Sequence, residues 1–170
     1  EMVTFKEKGE VLRINMKPGG SAVVKVTAPH LNRISLSDIS TLEGKSLFIQ
    51  DRLNLEAGGA SNLKMDAELA ALDISLSGAA VMKLAGKTEI LNLQMSGASN
   101  GKLENLEVVN AVVNASGASS GHLFITDKVD GRVSGAATVK LEPEPISNNL
   151  EVSSVASQRI MSDNEKVELD

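Results

Sequence analysis

Five glycines, Gly59, Gly78, Gly97, Gly117 and Gly135, each sit inside a small-Gly-Ala-small phrase, and the intervals between them are 19, 19, 20 and 18 residues. A fixed period of this size marks a solenoid, in which each repeat buries its apolar face only by stacking on its neighbours. Aligned on the glycine, the residues two, four and six places upstream are apolar: Ala57, Leu55, Leu53; Leu76, Ile74, Leu72; Met95, Leu93, Leu91; Ala115, Val113, Ala111. The residues between them, such as Asn54, Glu56, Asp73, Ser75, Asn92 and Gln94, are mostly polar. Alternation with period two specifies strands.

Downstream, the sixth place after each glycine holds Met65, Leu84, Leu103, Leu123 and Leu141. The place before it holds Lys64, Lys83, Lys102, His122 and Lys140. The frame continues past the glycines, with Arg159 and Ile160 in phase behind Ser154, and with Asp38 in the glycine place of a first coil that carries Ile34, Leu36 and Ile39. Each repeat is therefore two short strands meeting at a Gly-Ala corner, with a looser return through segments such as 66–71 or 126–130. Gly permits a positive φ and close stacking at the corner, and the Ala and Ser beside it fill the inside of the bend.

The predicted fold is all-β, a parallel β-helix (solenoid) with about 19 residues per rung. One domain spans 1–170: N-terminal strands or a cap over 1–30, rungs over 31–161 and a C-terminal tail over 162–170. Leu12 to Met16 and Ala22 to Val26 alternate around Lys17-Pro18-Gly19-Gly20, which reads as a tight turn between strands, in a hairpin or in one more irregular rung, covering the N-terminal edge. The four prolines, Pro18, Pro29, Pro143 and Pro145, leave the central rungs uninterrupted.

The 170 residues carry 17 basic and 22 acidic side chains, a net charge of -5, which disfavours nonspecific binding to nucleic acid. Without cysteine there is no disulfide, thiol nucleophile or thiolate metal cluster. Phe5, Phe48 and Phe124 are the only aromatic residues besides two histidines, so rings that stack on sugars or bases are scarce. No apolar run is long enough for a spanning helix.

The Ser-Gly-Ala-Ser phrases at 96–99 and 116–119, their variants at 77–80 and 134–137, and the preceding Thr27-Ala28-Pro29-His30-Leu31 resemble the auto-transporter adhesin head domain family, also called the GIN domain. The resemblance implies an all-β, right-handed, single-stranded parallel β-helix in exported or surface proteins of bacteria, periplasmic or on the cell, with an adhesive role and no established catalytic residues. A signal or anchor is then expected outside this chain. The departures are Gly58 for a leading Ser, Ala80 and Ala137 for trailing Ser, and Asp38 and Ser154 in glycine places.

The stacked basic column Lys64, Lys83, Lys102, His122, Lys140 and Arg159 is the candidate ligand-binding site, suited to an acidic glycan or a surface protein. Like charges about 5 Å apart in water repel by just under about 1 kcal/mol per pair. The same column also suits a plain solvated face whose lysines pair with Asp66, Glu104 and Glu142, two residues further on. The Asn54, Asp73, Asn92 series is expected to hydrogen-bond along the axis as structural support. A serine column, Ser77, Ser96, Ser116 and Ser134, lacks a base, since His30 and His122 lie in distant rungs. No metal or cofactor pattern is present: two histidines without spaced carboxylates do not make a zinc site.

The reading is a noncatalytic surface or periplasmic interaction module, able to form homo-oligomers through its open ends. The rival is a polysaccharide-degrading, pectinase-like β-helix enzyme, with Asp66 and Glu68, or Asp127 and Asp130, as carboxylate pairs. A structural scaffold or self-association domain is the other alternative.

Overall fold

The computed structural model describes residues 3–16, 22–153 and 155–161. Within them the chain is all-β, a parallel solenoid of about seven stacked turns. A hairpin of β1 (Val3–Lys8) and β2 (Val11–Met16) precedes it as a separate antiparallel sheet, turning at Gly9. The coils follow: β3 (Arg33–Leu36), β4 (Thr41–Glu43) and β5 (Phe48–Ala57), then the long strands β6 (Asn62–Leu76), β7 (Val81–Met95), β8 (Asn100–Ala115) and β9 (Ser120–Val133). The last coils are β10 (Thr138–Leu141), β11 (Ser147–Val152) and β12 (Ser157–Ile160). Each pairs in parallel with its counterpart one turn away, in the order β12-β10-β9-β8-β7-β6-β5-β3, with β4 on β6 and β11 on β9.

The inward columns are where the alternation puts them. Leu53, Leu55, Leu72, Leu91, Leu93 and Val113 are fully buried, as are Leu84, Leu103, Leu123 and Leu141 on the other side of the corner. Each buried leucine contributes about 1.5–3 kcal/mol by leaving water. The stretches expected to be loose returns are strand as well: Ala67 pairs with Gly86 and Glu68 with Lys87 inside one continuous ladder. Two further buried columns lie there, one with Ala67 and Leu106 and one with Leu69, Val108 and Ile125. The chain changes face at Ala70-Ala71, where two successive residues point away from the core.

The corner glycines adopt positive φ, from 65° to 72°. The amide of Ala79 donates to Gly59 O at 2.7 Å, that of Ala98 to Gly78 O at 2.7 Å and that of Ala118 to Gly97 O at 2.7 Å. A Cβ on Gly97 would lie 2.6 Å from Gly78 O, and the clash always falls on the preceding coil. Asp38 holds the same conformation, φ 56°, and its carbonyl accepts from the amide of Ala60 at 2.8 Å. It is the first corner of the described solenoid, so its Cβ meets no earlier corner. Ser154, at the other end, lies outside the described residues.

Inside the bend, Ser61, Ser99 and Ser119 occupy the column shared with Ala80 and Ala137, all essentially buried. Their hydroxyls have no hydrogen-bond partner. At the N-terminus the hairpin differs from the expected one: residues 22–30 form no strand, and the partner of Val11–Met16 is Val3–Lys8. The alternation of Ala22 to Val26 has no ladder to join, and those residues are largely exposed. The expected turn at 17–20 and the tail at 162–170 lie outside the described residues.

Two outcomes follow from the corner. Gly97→Ala loses about 2–5 kcal/mol, from a 2.6 Å clash added to backbone strain, whereas Asp38→Ala loses less than about 2 kcal/mol; equal losses in denaturant melts would refute the stacking account. Ser99→Ala and Ser119→Ala leave the midpoint unchanged or raise it, because each removes a buried hydroxyl without a partner.

Candidate functional site

The register brings the predicted basic residues together. Lys64 pairs with Lys83, Lys83 with Lys102, Lys102 with His122, His122 with Lys140, and Lys140 with Arg159. Their inward neighbours are the core leucines, so parity alone turns the column outward. Glu43 pairs with Lys64 and closes the column at its N-terminal end. Lys45 donates a hydrogen bond to Glu43 and holds its carboxyl below the usual carboxylate value, with Lys64 adding a smaller pull in the same direction.

Among the described residues no carboxylate lies within ion-pair distance of Lys64, Lys83 or Lys102. The expected pairing of the lysines with Glu104 and Glu142 is replaced by a different one. His122 takes both: its Nε2 lies 3.3 Å from Glu142 Oε2 and its Nδ1 3.9 Å from Glu104 Oε2. The cause is a register shift. The ladder of β8 and β9 runs from Leu103–Leu123 directly to Glu107–Phe124, so residues 104–106 have no partner on β9, although Asn105 and Leu106 still pair with Ala85 and Gly86 of β7. The three upstream lysines thus form a cationic triad without a salt bridge, with Glu43 beside Lys64 at one end, and Glu43, Asn62 and Lys64 are among the residues lining a shallow hollow against Lys83 and Lys102.

The other polar columns have structural duties. Asn92 Nδ2 donates to Asp73 Oδ1 at 2.8 Å, and the Arg52 guanidinium donates to Asp73 Oδ2 at 3.0 and 3.1 Å. Asn54 stands next to Asp73 in the same ladder. The leading serines brace the corner: Ser96 Oγ donates to Leu76 O and Ser116 Oγ to Met95 O. Asp66 and Glu68 point outward and are exposed. Asp130 is hydrogen-bonded by Lys128 and by Asn149, and these hold its carboxyl below the usual value. A general acid needs the opposite shift.

A second shallow groove, which the column reading had not singled out, runs beside the corner between Ser75, Gln94, Asn114 and Arg132 on one side and the leading serines on the other. Its signal is present in the sequence as the outward place just before each corner. Among the described residues no helix is long and apolar enough to cross a membrane.

Residues 1–145 match the family described as "Putative auto-transporter adhesin, head GIN domain". The structure resembles the crystal structure of a "putative adhesin" from Bacteroides fragilis NCTC 9343, with a TM-score of 0.84 at 20% identity. The match covers 94% of this chain and 77% of that one. No curated protein matches the sequence.

Stacked lysines without counter-charges repel one another. Lys83→Gln is therefore expected to raise the melting temperature slightly at low ionic strength, with the difference vanishing near 1 M salt; a loss of stability at low salt would show that Lys83 is held by contacts other than these.

Proposed function

We propose, on the premise that this chain belongs to the auto-transporter adhesin head GIN domain family, that it is an exported, noncatalytic adhesin-like module that binds an acidic polysaccharide along its lysine column. The observation that carries this reading is the triad Lys64, Lys83 and Lys102, in register on adjacent strands, with no carboxylate of the described residues within ion-pair distance and Glu43 only at its N-terminal end. Each rung advances about 4.8 Å. A polyuronate presents one carboxylate per sugar along an extended chain, so a line of lysines can face a line of carboxylates. Lys140 and Arg159 extend the same line beyond His122.

The ladder supports recognition by preorganisation. The backbone under the lysines is paired on both sides, so little backbone ordering remains to oppose binding. The ligand's charges also relieve the repulsion among the lysines. With few aromatic rings available, affinity rests on charge and hydrogen bonds, and association is accordingly salt-sensitive.

Retention of the purified protein on immobilised polygalacturonate tests this. The triple variant Lys64→Gln, Lys83→Gln, Lys102→Gln is expected to bind tenfold or more weakly, at about 0.5–1 kcal/mol per lost contact, and the wild type is expected to elute with rising salt. Equal retention of the triple variant would overturn the lysine column as the site, and release of shortened products would overturn the noncatalytic reading.

A further inference from the structure

We infer that His122, clamped between Glu104 and Glu142, is a proton-dependent junction that sets how much of the basic column an anionic chain can use. The inference rests on the column being the binding site.

The geometry is specific. His122 occupies a lysine place, paired with Lys102 on one side and Lys140 on the other. The two carboxylates come from the two neighbouring coils, Glu104 from the bulge after Leu103 and Glu142 from the residue after β10. Its side chain is 29% exposed, with Glu104 at 31% and Glu142 at 17%, so the cluster is screened far less than the open lysines. Glu104 Oε2 is buried and has no hydrogen-bond partner while it stands 3.9 Å from His122 Nδ1. The carboxylates address opposite ring nitrogens. They therefore cannot converge on a single metal ion, but an imidazolium can donate from Nε2 to Glu142 and attract Glu104 at ion-pair distance from Nδ1.

The charged groups facing His122 are Lys102 and Glu104 from the preceding coil and Lys140 and Glu142 from the following one. With the imidazole neutral, the two carboxylates interrupt the column, leaving the triad Lys64, Lys83, Lys102 separated from Lys140 and Arg159. An incoming polyanion passing this point meets negative charge. With the imidazole protonated, one positive charge is added between the carboxylates, the interruption is halved, and the two basic segments join. An ordinary imidazole changes charge between about pH 5 and 8, a range in which uronate carboxylates remain ionised. The sign follows: binding of a long acidic chain strengthens as pH falls, and a fragment short enough to occupy only the triad feels the change less.

The test measures affinity for polygalacturonate and for a galacturonate trimer at pH 5.5 and pH 7.5, at constant ionic strength. Wild-type affinity for the polymer is expected to rise about three- to tenfold on acidification, the effect of one added cation at close range, and the trimer less. His122→Gln removes most of that rise; His30→Gln leaves it intact. Glu104→Gln with Glu142→Gln tightens polymer binding at pH 7.5. A pH dependence that survives His122→Gln, with binding still dependent on the three lysines, would overturn this inference alone. Binding indifferent to those lysines would overturn the site and the junction together.

Discussion

The corner is the contact on which the rest of the structure depends. At each turn a glycine in the left-handed region presses its Cα against the peptide of the glycine one coil earlier, close enough that a Cβ would sit 2.6–2.8 Å from that carbonyl. The amide that follows each glycine donates to the same carbonyl at 2.7–2.8 Å. This fixes register as well as spacing. A slip by one residue would exchange the inward and outward columns along the whole coil and expose the leucines. The asymmetry of the clash also explains why Asp38 is tolerated where the later corners need glycine.

Once register is fixed, the site needs no further construction. Outward side chains one coil apart stand side by side, so any residue type repeated at the 19-residue interval becomes a line on the surface. Lysine repeated three times becomes a line of like charge with Glu43 at its end, at some cost to stability. The asparagine, aspartate and serine columns carry hydrogen bonds to neighbouring coils. The extra residue between Gly97 and Gly117 is absorbed between Lys102 and Asn105, where the β7–β8 register shifts, beside the Glu104 that faces His122.

Most of the architecture was legible because period two and period nineteen reinforce each other. Leu53, Leu72, Leu91 and Ala111 line up in one buried column, and Lys64 through Arg159 in one exposed column, from counting alone. Three features are not legible in this way. The return stretches look irregular because Ala67, Gly86 and Thr88 are small or polar, yet their parity with Leu69, Leu106 and Val108 already marks a strand. The N-terminal hairpin was misplaced because Ala22 to Val26 alternates as well as Val3 to Lys8 does, and alternation does not say which segment finds a partner. The pairing of His122 with Glu104 was hidden for a different reason: the interval of 20 residues shows that a residue is inserted, but which side chain it displaces depends on where the ladder absorbs it.

The central claim is that an acidic chain lies along Lys64, Lys83 and Lys102. Mapping backbone amide shifts by nuclear magnetic resonance during titration with oligogalacturonate tests it most directly. The account predicts perturbations confined to Thr41–Glu43 and to the segments around these three lysines, extending toward Lys140 at acidic pH. Perturbations gathered instead on the groove of Ser75, Gln94, Asn114 and Arg132, or absent from the lysine column, would contradict it.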